Sequence, residues 1–368
     1  MLNKYADEIL KGNITLDKPL FPKADNRDVW GSISPEKTKK IMELAEEHLN
    51  YEWPSFLATN FFAFDKTGDR KVWEIPMCNR RMVLTCLIIA ECIEYKGRFL
   101  DDITNGIILT CEESYWGYAA HKYGNISGLE SIDDPYVDLH APDVGAILSW
   151  AIYLLGDKLE PVVVKRVKSE IKSKLFDSFM NHNDYWWMGI PSYPGEKVTV
   201  NNWNTHICQC LLMAYLLASP DDDFKYKGVA RVLRILSNFI NALPEDGACD
   251  EGAGYWCGAA GALYISLEML YNVSDGKIDL FDNRLIKDSG DFYAKMFIDD
   301  KYILKVISIP GSARQLDALL LSGAYPDAQA ARNYFESLVN DVENEAQVLR
   351  HLAKLEGFLA YNDYQVVP

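Results

Sequence analysis

Thr205-His206-Ile207-Cys208-Gln209-Cys210-Leu211-Leu212-Met213-Ala214-Tyr215-Leu216-Leu217-Ala218 carries apolar residues at Ile207, Cys210, Leu211, Ala214, Tyr215 and Ala218, and it ends two positions before Pro220. That spacing is one face of a helix, and the run is too long for an ordinary strand. The stretch is entered through Val200-Asn201-Asn202-Trp203-Asn204, a polar start of the kind that precedes a helix.

The same period recurs on both sides. It predicts helices over Arg81–Tyr95, Leu100–Glu113, Pro142–Leu155 and Val162–Met180, then over Tyr226–Leu243, Trp256–Tyr271 and Asn283–Phe297. Further helices are expected over Ala313–Leu321, Ala328–Asn340 and Glu343–Leu359, and only Tyr302–Ile309 reads as a strand. Gly97, Gly156-Asp157, Pro220, Pro244 and Gly276 punctuate the junctions, as helix-stop chemistry requires. Many antiparallel helices joined by alternating short and long loops suit a ring of helical hairpins. The expected fold is therefore all-α, an incomplete (α/α) toroid formed as one domain over residues 1–368.

Composition narrows the function classes. Hydrophobic residues make up 49% and charged residues 24%, the balance of a soluble globular chain. A formal charge of −16 argues against nucleic acid, which needs a basic face. It also opposes a polyanionic ligand, although a local basic cleft can sit within an acidic exterior. No apolar run approaches a membrane span, and Met1–Glu8 has no export signature. The eight cysteines mostly lie inside apolar helical patterns, with no Cys-x-x-Cys and no zinc spacing. Reduced thiols in a cytoplasmic protein are the expectation, with no metal and no cofactor, and the sequons at Asn13, Asn125 and Asn272 then carry nothing.

Three clusters stand out from this background. Asn202 or Asn204 could cap the helix that follows, yet three asparagines in four positions exceed what one cap needs. Side-chain amides at a helix start also make a seat for a carboxylate. Asp250-Glu251-Gly252-Ala253-Gly254-Tyr255-Trp256 sets a tyrosine beside two glycines that admit a bulky ligand and two acids that could orient it. Glu112-Glu113-Ser114-Tyr115-Trp116 is followed by His121 in a loop, where an imidazole is as readily solvated as catalytic. Trp116 could stack on a sugar or simply pack. Arg80-Arg81 could hold an anion, or could be paired with Glu112 or Glu113. There is no Gly-x-Ser-x-Gly elbow, phosphate-cradling loop or dinucleotide fingerprint.

At these residues the chain resembles the heparinase II/III family of polysaccharide lyases. The likeness runs from Trp53-Pro54, Ala58-Thr59 and Thr67-Gly68-Asp69-Arg70 through Gly97-Arg98-Phe99-Leu100-Asp101 and Glu112–Trp116. It continues in Asp184-Tyr185-Trp186-Trp187-Met188-Gly189, Asn201–Asn204 and Asp250–Trp256. The resemblance implies an incomplete toroid and a cleft that cleaves uronic-acid glycans by β-elimination. In that reading Asn201 neutralises the uronate carboxylate, Tyr255 transfers protons and His121 assists. Asn202, Asn204, Trp116, Arg80, Arg81, Glu113, Glu251, Trp203 and His206 would contact the acidic oligosaccharide or polysaccharide.

The chemistry has its own logic. The C5 proton of a uronate leaves only if its carboxylate charge is cancelled, and amide donors aimed at the developing enolate do that best. Tyrosine, with a free pKa of about 10, then needs a cationic neighbour such as Arg80, Arg81 or His121 to act as a base. The family continues into a C-terminal β-sandwich, whereas little after Ile309 reads as strand, so the toroid part alone is expected. Three rival readings remain: a carbohydrate-binding toroid without turnover, a glycoside hydrolase using Asp250 or Glu251 as general acid, and a purely structural scaffold.

Overall fold

Helices dominate wherever the periodicity is strong. The structure, a computed structural model, describes residues 1–122, 131–196, 198–249 and 251–296, with the strand residues Leu304–Lys305 and Leu320–Leu321. Among these residues the protein is all-helical apart from that one antiparallel pairing, in which Leu304 faces Leu321 and Lys305 faces Leu320. The end of the helix expected over Ala313–Leu321 is thus a strand, because a short leucine run carries no period that separates the two. The remainder of that segment and of Tyr302–Ile309, and the helices expected over Ala328–Asn340 and Glu343–Leu359, lie outside the described residues. No helix among the described residues is long and apolar enough to cross a membrane.

Where one domain is expected over residues 1–368, contacts sort the chain into two compact units. The first holds Met1–Leu20, Met180–Leu216 and the described part of Asp221–Asn340; the second holds Phe21–Phe179 and Leu217–Pro220.

In the second unit the helix Lys71–Glu94 packs against Pro35–Glu47, Leu100–Cys111 and Ala141–Leu155, and Pro161–Ile171 closes over the last two. Lys71–Glu94 starts ten residues before the expected Arg81 and runs through Pro76. A proline inside a helix costs about 3 kcal/mol. Burial of Trp73 and Met77 on either side, in an aromatic cluster with Phe61, Tyr115 and Tyr118, offsets that cost. Pro35–Glu47 escapes the apolar-period reading because only Ala45 is buried. Its start is nonetheless written in Ser34-Pro35: the Ser34 hydroxyl accepts the Lys37 N–H at 3.4 Å, with proline at the first helical position.

In the first unit Asn3–Leu10 lies along Asp222–Ala242 and buries Ala6 and Ile9. Asp222–Ala242 opens four residues before the expected Tyr226, because the Asp221 carboxylate caps it by accepting the Phe224 N–H at 2.8 Å. The last long helical stretch is built in three pieces: a single turn Ala253–Trp256, a π-helical turn Cys257–Gly261 and the helix Ala262–Val273. The helix Arg284–Lys295 packs on the middle piece.

One glycine sets how closely two parts of the first unit approach. A Cβ at Gly228 would lie 2.1 Å from Cε1 of the fully buried Tyr215, whose ring has no room to move aside. Alanine there gains about 1 kcal/mol of helix propensity but overpacks the core by about 1–3 kcal/mol. Gly228→Ala is therefore expected to lower stability by up to about 2 kcal/mol, read as a lower urea midpoint with unchanged slope.

Candidate functional site

Two of the three clusters singled out in the sequence meet in the first unit. The helix Asn202–Ala218 begins at Asn202, and Asn201 is its cap: the Asn201 Oδ1 accepts the Trp203 N–H at 3.1 Å. The Asn202 N–H donates to Glu251 Oε2 at 3.0 Å, so a carboxylate from the Asp250–Trp256 segment sits on the helix start. Three residues into the helix, Thr205 Oγ1 donates to the Gly258 carbonyl at 2.8 Å. Asn202 is buried, with its amide against Gly258. The capping role expected of Asn202 or Asn204 thus falls on Asn201. The carboxylate seat at the helix N-terminus is filled by the protein's own Glu251.

This arrangement leaves Asn201 with a defined polarity. Its oxygen is committed to the helix, and it is half-exposed, so its Nδ2 is the donor left to a ligand. Tyr255 follows on the short turn Ala253–Trp256 and is 42% exposed, while its neighbour Trp256 is buried with Nε1 donating to the Ser289 carbonyl at 2.8 Å. Gly252 starts that turn at φ 76°, a left-handed conformation suited to glycine. Anchored Trp256 on one side and Glu251 on the other fix the backbone from which Tyr255 projects. Asp250 lies outside the described residues.

Asn204 departs from its expected role. It is fully buried, and its Nδ2 donates to the carbonyls of Trp187, Met188 and Ile235 at 3.0, 3.4 and 3.3 Å. It is a structural tie inside the unit and does not face a ligand. The tie holds the turn Trp186–Met188 against the helix start and brings Trp186 to Trp203, with ring centroids 4.9 Å apart and tilted by 48°. Trp186 is 47% exposed, so the half-buried Trp203 presents an aromatic shelf together with a residue the sequence reading did not select. Its only signal was its place in Asp184–Gly189. His206 lies half-buried one turn into the same helix.

In the second unit, four expected ligand contacts prove to be core. Arg80 and Glu113 are buried and form an ion pair at 3.0 Å, the alternative left open for that arginine. Arg80 also donates to the carbonyls of Leu109 and Pro54, and Arg81, equally buried, donates to the carbonyl of Trp116. Trp116 is 1% exposed, and its Nε1 donates to the Thr110 carbonyl at 2.9 Å. Cations facing inward on Lys71–Glu94 thus hold the Glu113–Trp116 loop. None of the four is open to a sugar.

His121 is different. Its side chain retains 14% exposure, and its Nδ1 is 3.2 Å from Oδ2 of the fully buried Asp138. Asp138 also accepts the backbone N–H groups of Tyr118, His140 and Ala141 at 3.0, 3.0 and 2.7 Å. Burial would raise the Asp138 carboxyl. The His121 hydrogen bond, the electrostatic influence of the His121 and His140 rings and the Tyr118 amide outweigh burial and leave it below the usual carboxylate range. His140 stacks on His121 at 5.5 Å, lies 3.8 Å from the Tyr118 ring and pairs through Nδ1 with Asp143 at 3.0 Å. On the other side of His121, Arg70 Nη2 is 3.4 Å from its Nε2. The sequence reading missed Arg70, Asp138, His140 and Asp143. The available signal was Asp138-Leu139-His140-Ala141-Pro142-Asp143, an acid three residues before a proline-marked helix start.

No protein-family model matches the chain, and no curated protein sequence matches it significantly. The likeness to heparinase II/III lyases therefore rests on the motifs quoted above.

Two expectations follow from the buried groups. Asn204→Ala removes an amide that holds three carbonyls and leaves them without that donor; it is expected to cost about 2–3 kcal/mol in chemical denaturation. Burial pushes Glu113 up to about 7 against the charges of Arg81 and Arg80, and pushes His140 down to about 4 against Asp143. Glu113 is thus more strongly protonated in the fold than in the unfolded chain, and its contribution is lost as the pH rises through about 7. His140 is kept neutral by the fold, and its contribution is lost as the pH falls from its ordinary range through about 4. Glu113→Gln is expected to flatten the alkaline fall in stability, worth at most about 3 kcal/mol between about pH 5 and pH 7.5, and to keep the acid fall. The slope of unfolding free energy against pH reads this directly.

Proposed function

We propose that the protein is a lyase that cleaves uronic-acid-containing oligosaccharides or polysaccharides by β-elimination. The observation that carries the reading is the tie between the helix start that Asn201 caps and the segment bearing Tyr255, made by the Asn202 N–H and Glu251. Asn201 is an amide with its oxygen committed and its donor free for a ligand, and Glu251 ties the turn bearing an exposed phenol to the same helix start. In the proposed reaction the Asn201 Nδ2 donates to the uronate carboxylate and offsets the charge that grows on it as the C5 proton leaves. The Tyr255 phenolate takes that proton. The C5 electron pair forms the C4–C5 double bond, the C4–O bond breaks, and the leaving glycosidic oxygen takes a proton from the Tyr255 phenol. The exposed Trp186 ring supplies an apolar face for a pyranose ring, with Trp203 tilted beside it.

The same reading includes an incomplete (α/α) toroid built from the helical hairpins. A cytoplasmic setting belongs with it, since all eight cysteines are free thiols. A second reading, saccharide binding without turnover, is favoured by the Trp186–Trp203 shelf alone.

The test is ultraviolet absorbance of the unsaturated product during incubation with heparan, chondroitin and alginate oligosaccharides. Tyr255→Phe and Asn201→Ala are each expected to lower the rate by about a hundredfold with circular dichroism unchanged. Trp186→Ala is expected to raise KM about tenfold, with a smaller change in kcat. Full activity in Tyr255→Phe overturns the assigned roles. Calorimetric binding with no absorbance change selects the second reading.

A further inference from the structure

Between Trp186 and Asn201 the chain leaves the core of the first unit and returns to it. Gly189, at φ 64°, packs so closely on Val200 that a Cβ on it would lie 2.5 Å from the Val200 Cγ2. The ends of this segment therefore touch, which makes it an Ω-loop, a compact excursion that frequently carries function. Its first leg starts three residues after the exposed Trp186, and its second ends one residue before Asn201. The first leg is pinned: Asn238 Nδ2 donates to the Met188 carbonyl at 2.9 Å, and Asn204 reaches the carbonyls of Trp187 and Met188. The second leg runs straight into the helix start that Asn201 caps. The loop thus stands on the boundary of the candidate saccharide site. Of its residues, Lys197 lies outside the described ones.

The tip of the loop is built to hold one shape. Tyr193-Pro194-Gly195-Glu196 is a type II turn: the Glu196 N–H donates to the Tyr193 carbonyl at 3.2 Å, proline takes the second position and Gly195 has φ 90° at the third. The Ser192 N–H donates to Glu196 Oε2 at 2.5 Å, so one carboxylate bridges the residues on either side of Tyr193 and its turn. Pro191 and Pro194 remove further backbone freedom. On this fixed tip Tyr193 is 63% exposed, and among the described residues its ring packs on no other ring and its hydroxyl makes no hydrogen bond. The fold gains nothing from that ring. A tyrosine held this way offers a large amphipathic face at little cost in conformational entropy when a ligand arrives.

We propose that Tyr193 forms a further sugar subsite, stacking on a pyranose ring of a saccharide whose neighbouring units lie at Trp186 and Asn201. Tyr193 is four residues from Gly189, so it stands at most about 14 Å from the loop base. That reach carries the contact past the sugar at Asn201 and along the chain. The consequence is selection by length: a disaccharide fills the region of Trp186 and Asn201, whereas a longer chain also meets Tyr193. Stacking on a ring face does not depend on the ring's charge, so this subsite takes neutral and acidic sugars alike. The contact is the same before and during bond cleavage, and it therefore acts on KM more than on kcat. That the ligand is a saccharide rests on the reading above; the subsite itself needs no β-elimination.

The experiment measures affinity against chain length. Calorimetry of the full chain carrying Tyr255→Phe, so that turnover does not consume the ligand, uses di- and hexasaccharides of heparan, chondroitin and alginate. With Tyr193 in place, the hexasaccharide is expected to bind about tenfold more tightly than the disaccharide. Tyr193→Ala is expected to erase that ratio by weakening the hexasaccharide, a loss of the size of one aromatic stacking contact. Tyr193→Phe keeps the ring and is expected to keep the ratio. Gly195→Ala leaves Tyr193 intact but strains the turn at φ 90°, and is expected to reduce the ratio about threefold. The urea midpoint of Tyr193→Ala is expected to match that of its parent, which a structural role for the ring would not allow. With Tyr255 restored, Tyr193→Ala is expected to raise KM for the hexasaccharide about tenfold, with a smaller change in kcat.

A length ratio unchanged in Tyr193→Ala overturns the subsite, as does equal weakening of di- and hexasaccharide, which would place the ring at the first sugar. Binding by none of the six oligosaccharides overturns it as well. A full ratio in Gly195→Ala overturns the role of the fixed turn. Failure of the lyase reading appears separately, as missing unsaturated product while the length ratio and its loss in Tyr193→Ala both hold.

Discussion

A helix leaves its first amides without partners, and in this protein those amides are met by side chains that also build the candidate sites. Asp138 accepts the Ala141 N–H at the start of one helix and, in the same carboxylate, receives His121. Glu251 accepts the Asn202 N–H at the start of another, while Asn201 accepts the next amide along. Glu91, wholly buried, takes the Gly97 and Phe99 amides ahead of Leu100–Cys111. Each of these bonds is obligatory for a buried helix start, since an unmet amide costs about 1–3 kcal/mol. Chemistry and folding therefore draw on the same atoms. Removing Asp138 or Glu251 disturbs a helix end as well as a candidate site, so any effect on function needs to be read beside stability at these positions.

Burial explains which charged residues are structural. Arg80, Arg81 and Glu113 sit on the inward face of their elements, where an arginine is kept only with its donors filled. Carbonyls of Pro54, Leu109 and Trp116 fill them. Arg70 sits at the start of the helix that carries Arg80 and Arg81, half-exposed and paired with Glu74, and a solvent-borne anion can reach its guanidinium. Ten residues along one chain segment thus separate a cation spent on packing from one open to recognition.

Much of the helical layout was legible because apolar spacing at Leu100–Cys111, Ala141–Leu155 and Asn202–Ala218 reports the buried face directly. The first eighty residues were not legible in the same way. Asn3–Leu10 and Pro35–Glu47 bury so few residues that their signal is capping chemistry more than period. Pro76 hid the first ten residues of Lys71–Glu94. For the site, Asn201 and Tyr255 were expected to share one cleft, and the contact the structure shows between their segments is the Asn202 N–H on Glu251. The roles of individual asparagines were not anticipated, because one capping residue and one core residue look alike on paper. Asp138 and Arg70 were invisible for a further reason: their partners lie 17 and 51 residues away, beyond any local pattern.

The π-helical turn Cys257–Gly261 carries one residue more than an α-turn would hold, and this extra residue has a directional effect. Each residue advances a helix by about 100°, so deleting one from this turn would swing everything before it around the axis relative to Ala262–Val273. Tyr255 would rotate off its present bearing, and the Gly258 carbonyl that Thr205 now reaches would be drawn back into the regular ladder. A single-codon deletion here would leave composition and hydrophobicity nearly unchanged, yet it would re-aim the phenol.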